Sequence, residues 1–90
     1  MTLDMVPEAE NNIDSLRIEI DRLDAEILAA VKRRTEVSQE IGRARMASGG
    51  TRLVHSREMK VIERYSVLGP DGKDLAMLLL RMGRGRLGHS

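Results

Sequence analysis

The stretch that decides the fold is IDSLRIEIDRLDAEILAAVKRRTEVSQEIGRARMA, residues 13–47. Its apolar residues recur at intervals of three and four, which is typical of a helix that packs lengthwise against other helices. No proline interrupts the stretch, and Ser48-Gly49-Gly50 supplies a signal for the end of a helix. With Asn11 or Asn12 as the N-cap, the pattern predicts one helix of about 36 residues, roughly 54 Å long.

The second half of the chain predicts two shorter helices, which makes the fold all-α. Apolar positions between residues 54 and 68 indicate the second helix, and Gly69-Pro70 ends it. Asp71 then caps a third helical segment at residues 75–80, which is apolar on every side and is predicted to be buried.

The two ends of the chain lack this periodicity. Residues 1–10 are predicted to form a disordered lead-in, and the glycine-rich residues 83–90 a mobile tail. The helical domain is therefore expected to cover residues 11–90.

Composition limits how such a small domain can be stabilised. The 90 residues include one aromatic residue, no cysteine and two histidines, so neither a disulfide nor a structural metal site is expected. A domain of this size then usually needs a partner chain. The first helix also exceeds the diameter of roughly 30 Å expected for a compact globule of this length. We therefore expect a second copy to cover it, in an intertwined helical homodimer.

The charge balance argues against several classes of partner. Fifteen basic residues face fourteen acidic ones, for a formal net charge of +1, whereas a nucleic-acid-binding protein normally has a clear basic surplus. No stretch approaches the roughly 20 apolar residues that span a membrane. The first residues are acidic and polar, unlike a secretory signal, so a cytoplasmic protein is expected.

Several charged residues lie where the pattern predicts apolar ones. Twelve of the basic residues are arginine and only three are lysine. Arg34 falls on the apolar side of the first helix, Arg17 and Arg45 flank it, and Arg57 and Glu58 face inward from the second helix. Each alone fits an ion pair or ordinary surface charge. Together they predict a pocket for a small anion with more than one charge, because arginine recognises carboxylates with two parallel hydrogen bonds.

The same residues carry a resemblance to a known family. The segments IDSLR (13–17), IDRLD (20–24), Arg33-Arg34 and IGRAR (41–45), followed by Arg57-Glu58, resemble the all-helical chorismate mutases. The match extends without gaps from residue 13 to residue 68. The loop GGTRLVHSRE, residues 49–58, is similar to a short, stand-alone branch of that family.

The resemblance implies an isomerase that converts chorismate to prephenate, on the route to phenylalanine and tyrosine, without a cofactor or a metal. It implies an intertwined homodimer in which each site takes Arg17 from the partner subunit. It also implies an activating complex with DAHP synthase, the first enzyme of the shikimate pathway. Weak activity of the chain alone is expected from its departures from the family.

The family assigns roles to individual residues. By resemblance, Arg17 and Arg34 bind substrate carboxylates, and Arg45, in the family's lysine position, contacts a carboxylate and the ether oxygen. Arg57 and Glu58 position the ring, with Glu58 accepting the substrate hydroxyl. Arg45 and Glu58 are thus the expected catalytic residues.

Two features depart from the family. Thr51 and Val54 are expected to line the edge of the site, although family members often carry an acidic residue at the position of Val54. The serine and glutamine that the family's third helix usually supplies have no aligned counterpart here, and Arg84 and Arg86 are the candidates to replace them.

An alternative interpretation is a helical coiled-coil interaction module without catalytic activity. In such a module Arg34 would form only an ion pair between chains, and its replacement by alanine would leave function intact or improve dimer stability.

Overall fold

The fold is a set of three α-helices joined by short connections. In the computed structural model, residues 5–50 and 55–84 are described. They form α1 (Met5–Ala47), α2 (His55–Tyr65), a 3₁₀ turn (Ser66–Leu68) and α3 (Pro70–Arg84). These ranges contain no strand. The predicted all-α fold with a very long first helix is confirmed, whereas the intertwined homodimer stays a prediction.

The first helix begins earlier than the sequence pattern indicated. It starts at Met5, so residues 5–10 are helical, and the lead-in predicted at residues 1–10 is wrong for that part. Pro7 lies in the first turn of α1 and does not prevent the helix from beginning before it. Its missing N–H would have no partner within the helix there, and its fixed φ angle suits a helix start.

The third helix is longer than the predicted segment at residues 75–80. It begins at Pro70, a first helical position that proline favours. It ends at Arg84, so the tail predicted from residue 83 is wrong for its first two residues, and residues 85–90 lie outside the described ranges. Gly83 is buried, and a β-carbon there would lie 2.3 Å from Oγ of Ser38 on α1. The glycine permits a close helix contact and does not end the helix.

The chain divides into two units, residues 1–30 and 31–90. In the first, apolar side chains predicted to face a partner remain 38% to 57% exposed: Ile13, Leu16, Ile20, Leu23 and Ile27. Elsewhere on the same segment Arg22 forms ion pairs with Glu19 and Glu26. The segment therefore presents a row of uncovered apolar side chains in addition to its charged ones.

The second unit has a small aliphatic core. Its buried apolar side chains within the described part are Val61 of α2 with Ala76 and Leu79 of α3. The prediction that residues 75–80 are buried on every side is wrong for this single chain, because Met77 and Leu78 are 50% and 42% exposed. Only one face of α3 packs on the core.

None of the described helices combines the length and the apolar character needed to cross a lipid bilayer.

Candidate active site

A cavity of about 440 Å³ in the second unit brings together four of the predicted site residues, Arg34, Arg45, Arg57 and Glu58. The rest of its lining is uncharged: Val37, Ser38, Ile41, Gly42, Val61 and Leu80. The lining therefore combines three arginines and one glutamate with an otherwise apolar and small-residue wall. Such a cavity suits a small organic anion with an apolar body.

Arg34 is oriented by the third helix. Its side chain is half-buried, and Nη1 donates a hydrogen bond to the backbone carbonyl oxygen of Leu79 at 3.3 Å. Nearby, Gln39 Nε2 donates to the carbonyl oxygen of Met82 at 3.5 Å. Met82 lies in the last turn of α3, where carbonyls lack intrahelical partners, and the C-terminal end of the helix carries partial negative charge, which favours a cation such as Arg34. The end of α3 thus holds Arg34 at the cavity wall.

Arg45 is positioned by the way α1 ends. The N–H of Gly49 donates to the carbonyl of Met46 at 3.0 Å, and that of Gly50 to the carbonyl of Arg45 at 2.8 Å, which is the Schellman pattern. Gly49 has a φ of +87°, which glycine adopts without strain. A β-carbon on Gly50 would lie 2.9 Å from Cγ of Arg45. The glycine pair therefore ends the helix and leaves room for the Arg45 side chain.

Glu58 and Arg57 enter the cavity from the first turn of α2. A carboxylate in that position interacts favourably with the positive end of the helix dipole. Glu58 Oε2 also accepts a hydrogen bond from Arg84 Nη2 at 2.9 Å, and the two side chains are only 19% and 33% exposed. Arg57 is exposed, so it lies at the mouth of the cavity.

The remaining predicted residues are not placed in this cavity. Arg17 is exposed and belongs to the first unit, while Thr51, Val54 and Arg86 lie outside the described residues.

The sequence did not indicate the contact that Arg84 makes with Glu58. Arg84 was considered only as a replacement for a residue that touches substrate. The signal that could have found the contact is helical spacing: Leu80 lines the cavity, and Arg84 follows it by four residues on the same face of α3.

The arrangement can bind and orient an anion, and it offers no side chain that is set up as a nucleophile with an adjacent base. In the two described ranges, no group of three or more metal-ligating side chains lies together. A reaction that depends on substrate conformation and on the stabilisation of developing negative charge fits these groups best.

Comparison with known proteins identifies the family. The family described as chorismate mutase type II matches residues 16–81. The chain belongs to this family. Its relatives include the intracellular chorismate mutase of Mycobacterium tuberculosis (strain ATCC 25618 / H37Rv), which is 83% identical over 84 residues, covering 93% of this chain and 76% of the relative. The intracellular chorismate mutase of Mycolicibacterium smegmatis is 75% identical over 89 residues, covering 98% of this chain and 82% of that protein.

One solved structure is similar to this chain over most of the chain's length. It is a non-covalent complex of DAHP synthase and chorismate mutase from Corynebacterium glutamicum with a bound transition state analog. It matches with a TM-score of 0.80 and 56% sequence identity, covering 86% of this chain and 94% of the other. The prediction that the chain is a chorismate mutase, an isomerase, is confirmed, in preference to a non-catalytic helical module.

Proposed function

We propose that this chorismate mutase rearranges chorismate to prephenate in the cavity lined by Arg34, Arg45, Arg57 and Glu58. The observation that carries the proposal is the grouping of three guanidinium groups and one carboxylate around a wall of uncharged residues. Chorismate carries two carboxylates, a hydroxyl and a flexible ether. The arginines of this cavity can bind the carboxylates and the ether oxygen, and Glu58 can accept a hydrogen bond from the hydroxyl.

The reaction needs no proton transfer to or from the protein. Within one substrate molecule the ether C–O bond breaks while a new C–C bond forms, so that atoms and charge balance without a co-reactant. The protein has to hold the side chain over the ring, which replaces a search through unproductive conformers. It also has to stabilise the negative charge that develops on the ether oxygen.

Each side chain has a role that matches its position. Arg34 binds a carboxylate, with its guanidinium oriented by the carbonyl of Leu79. Arg45 contacts a carboxylate and the ether oxygen, and is the main source of charge stabilisation. Arg57 and Glu58 position the ring, and Glu58 accepts the substrate hydroxyl. Thr51 and Val54 stay candidate substrate contacts through the family resemblance alone.

We further propose that two copies form an intertwined homodimer and that Arg17 of the partner subunit completes each site. The uncovered apolar row on residues 13–27 supports this assembly, since burial of apolar surface is the main driving force of association. A second copy is the occupant that we propose, because the row repeats every three to four residues, as helices that pack side by side require.

DAHP synthase is the proposed activating partner. The similar chain from Corynebacterium glutamicum is described in a non-covalent complex with that enzyme. Because Val54 replaces an acidic residue common in the family, one contact to the substrate is missing, and we propose weak activity of the chain alone. The relatives are named intracellular, which supports the cytoplasm as the compartment.

Loss of chorismate absorbance after addition of the purified chain tests the activity directly. We expect slow turnover by the chain alone and faster turnover when DAHP synthase from the same organism is titrated in. The absence of turnover in both conditions would contradict the function. Equal turnover in both conditions would contradict only the proposed activation by DAHP synthase.

A further inference from the structure

Arg84 on α3 and Glu58 on α2 form the ion pair of the second unit that lies nearest the proposed reaction. Arg84 Nη2 donates to Oε2 of Glu58 at 2.9 Å, across 26 residues of sequence. Arg84 does not line the 440 Å³ cavity. It lines a smaller space of about 60 Å³, and Glu58 lies on the wall of both. Glu58 is therefore held on one side by Arg84 and faces the reaction cavity on the other.

The geometry points to Arg84 as a positioning residue that fixes the Glu58 carboxylate for the substrate. This inference rests on the proposed function. Among the described residues Arg84 is the partner of Glu58, and it occupies Oε2. Oε1 then stays available to accept the substrate hydroxyl. A carboxylate held in this way does not have to be ordered when the substrate binds, which is the basis of preorganisation.

The burial of Arg84 supports a specific role for its contact with Glu58. Nε of Arg84 is buried and has no hydrogen-bond partner within the described part of the chain. Burial of an unpaired donor is unfavourable, and an arginine at the last turn of α3 could avoid it by extending into solvent, as the exposed Arg81 does. The side chain instead lines a small space together with Gly83 and Ser38 and reaches Glu58.

Charge gives Arg84 a second effect on the same site. Among the described residues, Glu58 is the one carboxylate on the cavity wall, and it repels a substrate that carries two negative charges. The guanidinium of Arg84 offsets this repulsion from outside the cavity. It does so without occupying a position that a substrate carboxylate would take.

Arg84→Met tests the inference, with Arg81→Met as the matched control. Both changes remove one guanidinium from the last turn of α3, but only Arg84 contacts Glu58. We expect kcat/KM for chorismate to fall roughly 10-fold or more for Arg84→Met, mainly in kcat, with the thermal midpoint equal to that of the control. Arg84→Lys keeps the charge and should recover part of the loss. Arg81→Met should match the unchanged protein.

A double substitution separates positioning from direct contact with the substrate. In a Glu58→Gln background, Arg84→Met should cause little further loss, because its effect acts through the carboxylate. The inference is overturned if the two losses multiply, or if Arg84→Met and Arg81→Met have the same kcat/KM. Failure of the proposed function would give a different result, since the unchanged protein and the Arg81→Met control would then lack turnover as well.

Discussion

Arg34 and Leu79 are 45 positions apart in sequence, and Nη1 of the arginine donates to the backbone carbonyl of the leucine at 3.3 Å. The contact joins α1 to α3 and uses a backbone group, so it does not depend on which apolar side chain stands at position 79. It fixes one edge of the guanidinium and leaves the other nitrogens for an anion, which is possible because arginine has five donors in a planar fork.

Arg34→Lys is expected to weaken substrate binding although it keeps the charge. An ammonium group cannot hold the Leu79 carbonyl and a carboxylate in the same planar geometry. We expect KM for chorismate to rise roughly 10-fold, the loss of one good charged hydrogen bond. Steady-state kinetics measures it, and Arg33→Lys is the control, because Arg33 is exposed and paired with Glu36 on the surface. An unchanged KM for Arg34→Lys would contradict the assignment.

Arg45→Ala is expected to remove most of the turnover. The guanidinium is assigned to the developing charge on the ether oxygen, and loss of one such donor typically lowers kcat by about 10²-fold or more. The initial rate of chorismate loss at saturating substrate measures this effect. Arg43→Ala removes an exposed arginine from the same turn of α1 and should change kcat little. Equal rates for the two variants would refute the role of Arg45.

Gly50→Ala is expected to lower turnover through Arg45. The added β-carbon would lie 2.9 Å from Cγ of Arg45 and 3.3 Å from its carbonyl oxygen, so the arginine side chain has to move. A shift of a catalytic group by a fraction of an ångström is costly, and we expect kcat to fall about 10-fold. Gly49→Asn serves as control, because open space surrounds Gly49 and asparagine tolerates its positive φ. Normal kcat in Gly50→Ala would show that Arg45 is not so constrained.

Gly83→Ala is expected to destabilise the fold. Its β-carbon would lie 2.3 Å from Oγ and 2.8 Å from Cβ of Ser38, and such overpacking usually costs about 1–3 kcal/mol. Urea denaturation gives the change in the free energy of unfolding. In a Ser38→Gly background, where the clashing atoms are absent, Gly83→Ala should cost much less. The same cost in both backgrounds would mean that the helices do not meet closely at these two residues.

The long helix and the arginines of the site could be predicted from the sequence because both follow from spacing along one element. Arg34 and Arg45 lie on α1, where helical geometry alone places them on nearly the same face. Helical spacing likewise placed Arg57 and Glu58 on the inward side of α2, and the family resemblance then supplied their roles. The spacing of residues along one helix is enough to predict the helix and the face on which its arginines lie.

The start of α1, the two ends of α3 and the ion pair between Arg84 and Glu58 were not predicted. Gly83 was interpreted by its weak helix propensity, whereas its burial against Ser38 keeps it helical. The start of α1 was missed because the residues before Ile13 lack apolar periodicity, whereas Pro7 lies in the first turn, where proline is tolerated. The pair between Arg84 and Glu58 depends on how α3 packs against α2. The residue pattern of a single helix does not give the packing of two helices.

Arg17 of the partner subunit is proposed to complete each catalytic cavity, and complementation between two inactive variants tests this proposal. Arg17→Ala and Arg45→Ala should each be nearly inactive alone. When equal amounts are unfolded together and refolded, half of the dimers are mixed. Each mixed dimer has one site with both arginines intact, so chorismate turnover should return to about a quarter of the unsubstituted level. A refolded mixture no more active than its two components would contradict the claim.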